Sequence, residues 1–270
     1  MSTVRTDQST SGNLADLLGL LAVPLLLCAL HVATPAARDV FALRHDDLTV
    51  VTLWSSAFVH ANDAHLYSNL LGYSLAAVPT YLLYLHWNRR RAFWVTVAVT
   101  LVVVPPIVNV GSVVYFDSQG FGPDTVSRGF SGVVAAFAGL GLAAVVSFVA
   151  ESYGLRRAYW VAQALTLVVA GVMLAGLTGG VVALHAGLVG VGVLLSVTGL
   201  LTDEPDPLAG LRDHRMTVVV VSYVVVTLLL VVYLLFPADV TETSHVTNLV
   251  AHAVGLVAGV VLPGLGRFAS

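Results

Sequence analysis

Lysine is missing from this chain of 270 residues, so its twelve basic side chains are all arginine. A retinal Schiff base needs a lysine amine, and an opsin-like pigment is thereby excluded. Cysteine occurs once, at Cys28, which rules out an intramolecular disulfide and reads as packing inside an apolar run. With that one cysteine and no HExxH among nine histidines, a metalloprotease has no ligand set, and no metal is expected. Charge is scarce as well: 10% of residues, net -3, with no basic stripe interleaved with aromatics, so a nucleic-acid partner is not expected. GFGPD, Gly120 to Asp124, is not the GxGD of an aspartyl intramembrane enzyme.

What the chain has in abundance is hydrocarbon. Hydrophobic residues make up 57% and mean hydropathy is +0.90, the composition of a membrane protein whose first partner is the lipid bilayer. Apolar runs long enough to cross a core of about 30 Å recur from end to end, which a cleaved leader does not explain. Length and punctuation predict spans at Leu14 to Val32, Ala64 to Leu85, Ala92 to Val114, Ser131 to Ala150, Ala158 to Leu177, Val181 to Leu201, Met216 to Leu235 and Val246 to Leu262. The expected fold is all-α, one polytopic transmembrane bundle of about eight spans over residues 1–270, with 1–13 as a cytoplasmic tail. Pro105 and Pro106 should kink or break the third span, and the cut between the fifth and sixth falls in GLTGG.

Arginine placement orients the bundle, because short cytoplasmic loops keep positive charge. With the N-terminus inside, Arg5, Arg89, Arg90, Arg91, Arg156, Arg157, Arg212, Arg215 and Arg267 face the cytoplasm, and Arg38, Arg44 and Arg128 lie outside. Both termini are therefore expected in the cytoplasm.

In that orientation the second, fourth, sixth and eighth spans enter from the extracytoplasmic face, and polar residues near their starts share one depth. The second opens with AHLYSNLLGY, where His65 and Asn69 lie one turn apart on one face. The fourth opens with RGFSGVVAAFAG, whose Ser131 needs a hydrogen-bonding partner in so apolar a setting. The eighth carries His252 in HAVGLVAG, with Gly255 and Gly259 about 60° and about 20° from the histidine on a helical wheel. Ala135 and Ala138 fall within about 40° of Ser131, so both helices present small faces that allow close packing. A serine beside a neutral imidazole is a nucleophile with its general base. His65, Asn69 and the N–H of Ser131 would stabilise the oxyanion. No span carries a carboxylate in the serine's layer, which predicts a Ser-His dyad rather than a triad.

GFSG (Gly129 to Gly132), HLYSN (His65 to Asn69) and HAVGLVAG (His252 to Gly259) resemble the motifs of the rhomboid intramembrane serine proteases, and FVHANDAH resembles that family's first-loop histidine pair. The resemblance implies Ser131 as nucleophile, His252 as base, and His65 and Asn69 as oxyanion donors, with Gly129, Gly132, Gly255 and Gly259 as motif glycines. It implies no cofactor, transmembrane segments of other membrane proteins as substrates, and His60 as a brace for the first loop. The chain departs from the family in lacking a Trp-Arg pair between Ala36 and Asp63, and in having Ala135 where a tyrosine often follows the serine by one turn. It also has three predicted spans, not one, between the serine and histidine helices.

The extra spans open a rival base, His185, at the start of the sixth span. Its neighbours Gly187 and Gly190 fall about 160° and about 140° away, which favours His252. Of the other histidines, His45 and His245 read as solvated. Two further functions stay open on sequence alone: a rhomboid-like protein that binds membrane clients without cutting them, and a transporter. The second predicts broken helices at matching positions in two halves, and only Pro105-Pro106 offers a break.

Overall fold

Inside a bilayer the backbone has no water to bond, so apolar runs fold as helices. The computed structural model describes residues 5–32, 35–121, 124–177, 183–202, 214–236 and 248–266. In chain order the helices are α1 (Arg5–Val32), α2 (Pro35–Phe41), α3 (Val50–Ser55), α4 (Asp63–His86), α5 (Arg90–Ser118), α6 (Ser131–Tyr153), α7 (Leu155–Leu177), α8 (Ala183–Thr202), α9 (Arg215–Leu235) and α10 (Leu249–Gly266). A 3-10 turn (Ser56–Phe58) follows α3, and two short strands, β1 (Leu43–Arg44) and β2 (Val126–Ser127), pair antiparallel. The protein is an all-α bundle. Stretches of α1, α5, α6, α7 and α9 are long and apolar enough to cross a membrane, and shorter apolar stretches occur in α8 and α10. Each predicted span overlaps one long helix. α1 begins at Arg5, so much of the segment read as a tail is helical, while GLTGG runs on from the end of α7 into residues outside those described.

Pro105 and Pro106 do not break α5, which runs unbroken through them. Pro105 has no N–H to give the carbonyl four residues earlier. That carbonyl, on Leu101, instead accepts the indole N–H of Trp54 in α3 at 3.1 Å. The same device recurs at Pro24 in α1, where the freed Leu20 carbonyl accepts the Tyr73 hydroxyl of α4 at 3.3 Å. For Pro24 and Pro105, another element thus satisfies the carbonyl that the proline frees.

α6 is the hub, with 78% of its apolar window buried against 17% for α1. It packs on α4, α5, α7, α9 and α10. Its contacts with α10 run in step: a side chain at Gly255 would strike the Gly132 carbonyl, and one at Gly259 the Ala136 carbonyl. Both sequences advance together, so α6 and α10 are parallel and packed backbone on backbone. α4 joins them in the same direction, with Gly72 against Val134 and Thr80 against Gly141. α9 lies between α4 and α6, whereas α8 packs chiefly on α7 to make an outer hairpin.

Candidate active site

The loop before Ser131 is held from several sides. β2 pairs Ser127 with Leu43 and Val126 with Arg44. The N–H of Gly129 donates to the Ser56 carbonyl at 2.9 Å. Ser56 is fixed in turn by α5, whose Asn109 carboxamide donates to the Ser56 hydroxyl at 2.8 Å and to the Leu53 carbonyl at 2.7 Å. His45, expected to be solvated, is half-buried, its Nε2 2.9 Å from the Ser127 hydroxyl. Gly129 has φ +127°, a region that suits glycine, and a side chain there would run into the His65 imidazole. One glycine thus turns the chain into α6 and admits His65 against it.

Ser131 is the first residue of α6 and is partly exposed. Val133 and Val134 both turn their N–H groups to the Phe130 carbonyl at 2.9 Å, and no side chain caps the helix. Among the described residues nothing accepts from the amides of Ser131 and Gly132, which lie at the positive end of the helix dipole and suit an anionic oxygen. Among the described residues the Ser131 hydroxyl makes no hydrogen bond. Gly132 lets α5 approach, since a Cβ there would lie 2.5 Å from Val108 Cγ1.

α10 is set by a cap that sequence reasoning missed. The Asn248 side chain accepts the N–H of Ala251 at 2.9 Å and donates to Ser112 of α5 at 2.7 Å. His252 follows one turn later and is buried. Its Nδ1 lies 2.6 Å from the Leu235 carbonyl at the end of α9, and the Phe236 ring meets it edge-on at 5.9 Å. Ala135 of α6 faces Gly255. The aromatic ring against His252 is that of Phe236, the residue that follows α9.

Ala251 and Gly255, the residues flanking His252 by one and three positions, both approach Gly132. Ser131 and His252 therefore share one layer of the bundle, although no hydrogen bond joins them. Asn69 is in the same layer by the α4–α6 register; it is 3% exposed and its Nδ2 has no hydrogen-bond partner among the described residues. His65, one turn earlier, is half-buried with its ring against Gly129 and 5.2 Å from the His60 ring. The four motif glycines all sit where a side chain would collide. His185 belongs to the outer helix α8, packed chiefly on α7, and its side chain lies outside the described residues, as does all of His245.

No family model, curated protein or solved structure matches this chain. A hydroxyl at a helix start with open amides, a buried imidazole held at one nitrogen, and an unpartnered carboxamide form one polar layer among apolar helices. Such a layer suits acyl transfer, with a place for nucleophile, base and oxyanion. Among the described residues no group of histidine, cysteine, aspartate and glutamate side chains could hold a metal ion.

Proposed function

We propose that the protein is an intramembrane serine endopeptidase of the rhomboid type, cutting transmembrane segments of other membrane proteins near the extracytoplasmic face. One observation carries the reading. Parallel packing of α4, α6 and α10 gives Asn69, Ser131 and His252 a common depth, with a buried, unpartnered donor on Asn69.

Ser131 Oγ attacks the scissile carbonyl while His252 Nε2 takes its proton. The oxyanion accepts hydrogen bonds from the Ser131 N–H, Asn69 Nδ2 and His65. His252 then protonates the departing amine, and a water entering from the extracytoplasmic side releases the acyl group. In this reading α1, α4, α5, α6, α9 and α10 form a rhomboid-like core, α7 and α8 are an added hairpin, and the bundle spans eight times with both termini cytoplasmic. α9 takes the place of the helix that parts from α4 to admit the substrate. The substrate helix must unwind near the cut, which favours glycine or alanine there, because a carbonyl bonded within a helix is poorly exposed.

The test is a gel assay with a model transmembrane substrate in detergent or liposomes. Cleavage should fall at least about 100-fold in Ser131→Ala and His252→Ala and survive His185→Ala. Asn69→Ala should cost about 10- to 1000-fold, as for loss of one oxyanion donor. Cleavage that persists in Ser131→Ala, or that needs His185 and not His252, contradicts the assignment.

A further inference from the structure

A dyad leaves its imidazole with no carboxylate to hold it. His252 makes its hydrogen bond to main chain instead, with Nδ1 2.6 Å from the Leu235 carbonyl. A carbonyl only accepts, so Nδ1 carries the proton, and the neutral ring keeps its lone pair on Nε2. That is the tautomer a general base requires.

We infer that the C-terminal turn of α9 is the orienting partner of His252, with Phe236 and Gly176 as positioning residues that hold it in place. The catalytic meaning of this arrangement rests on the protease reading, whereas the tautomer itself does not. Leu235 ends α9, where carbonyls lack helical donors and the helix dipole is negative. The free carbonyl can therefore take the imidazole N–H. When Nε2 accepts the serine proton, the ring becomes an imidazolium and Nδ1 keeps its proton on Leu235. The new positive charge then stands at the negative end of α9, which favours it.

The helix end is wedged on two sides. Phe236 is 2% exposed and sets its ring edge-on to His252, with an interplanar angle of 85°. Its carbonyl abuts α7 at Gly176, where a Cβ would lie 2.9 Å from the Phe236 oxygen. Gly176 thus lets α9 end close enough to α7 for Leu235 to meet the imidazole. Through this contact the outer hairpin supports the base without touching it.

The test is nitrogen NMR of the full-length protein in bicelles, with ¹⁵N-labelled histidine and His252→Gln for assignment. At neutral pH the expected His252 signals are a protonated Nδ1 and a bare Nε2; a proton on Nε2 overturns the inference. Gly176→Val and Phe236→Ala should shift population toward the Nε2–H form and lower kcat about tenfold or more with KM unchanged. Unchanged tautomer signals in both folded variants also overturn it. An Nδ1–H tautomer with no cleavage of any substrate upholds the orientation and removes the protease reading; an Nε2–H tautomer with cleavage does the reverse.

Discussion

His60 shows how much one buried side chain can say. It is 1% exposed, and among the described residues neither ring nitrogen has a hydrogen-bond partner. Burial first, then the nearby His65 and His31, push its imidazole down from 6.5 to about 3. In the folded protein the ring is neutral at pH 5, whereas in the unfolded chain it is mostly charged. The unfolded state therefore binds the extra proton, so stability is full above 6.5 and is lost as pH falls toward 3, at up to about 1.4 kcal/mol per pH unit. Melting temperatures in detergent should drop between pH 7 and pH 4.5, and His60→Leu should remove part of that drop. An identical pH slope in both proteins would contradict the assignment. Other residues were legible in part. Ser131, His65, Asn69 and His252 stand out in the sequence as polar groups in apolar runs. Asn109 and Ser112 carried the same signal, yet their partners Ser56 and Asn248 are distant in the chain and only folding joins them.

Among elements, the α6–α10 pair decides the geometry of the site. Helices in hydrocarbon gain no hydrophobic drive from packing together, so close backbone approach must supply contact energy. Gly255 and Gly259 on α10 meet the carbonyls of Gly132 and Ala136 on α6, and Gly139 on α6 meets the main chain of α10 at Leu256. Gly259→Val should therefore push the helices apart, costing roughly 3 kcal/mol or more in stability, beyond an ordinary overpacked core site because backbone has no rotamer to yield. Unfolding of purified protein by titrated denaturing detergent measures this, and a loss under about 0.5 kcal/mol would contradict the packing. This glycine face is legible in the sequence, since angular position follows from helix pitch alone. The unbroken run of α5 through Pro105-Pro106 is not, because the rescue of the Leu101 carbonyl by Trp54 depends on where α3 lies.

At the scale of the molecule, the proposed orientation rests on arginine: nine of the twelve fall, by sequence, on the side that reading assigns to the cytoplasm, and among the described residues Arg89 pairs with Glu151 at 2.9 Å and Arg90 with the buried Asp16 at 2.6 Å. Reporter fusions at either terminus should give a cytoplasmic signal, and a reporter in the Asp117–Phe121 turn an extracytoplasmic one; the opposite pattern would invert the bundle and move the site to the other face. Sequence alone determined the all-α class with helices apolar enough to span a membrane, the approximate position of each long helix and the polar residues proposed to carry chemistry, because hydropathy and helical period are local properties. Only the tertiary structure decided which helices touch, that α8 packs chiefly on α7 as an outer hairpin while α9 packs on both α4 and α6, and that a peptide carbonyl at Leu235 meets His252. Those contacts depend on how separate helices pack, and a main-chain carbonyl has no residue type to announce it.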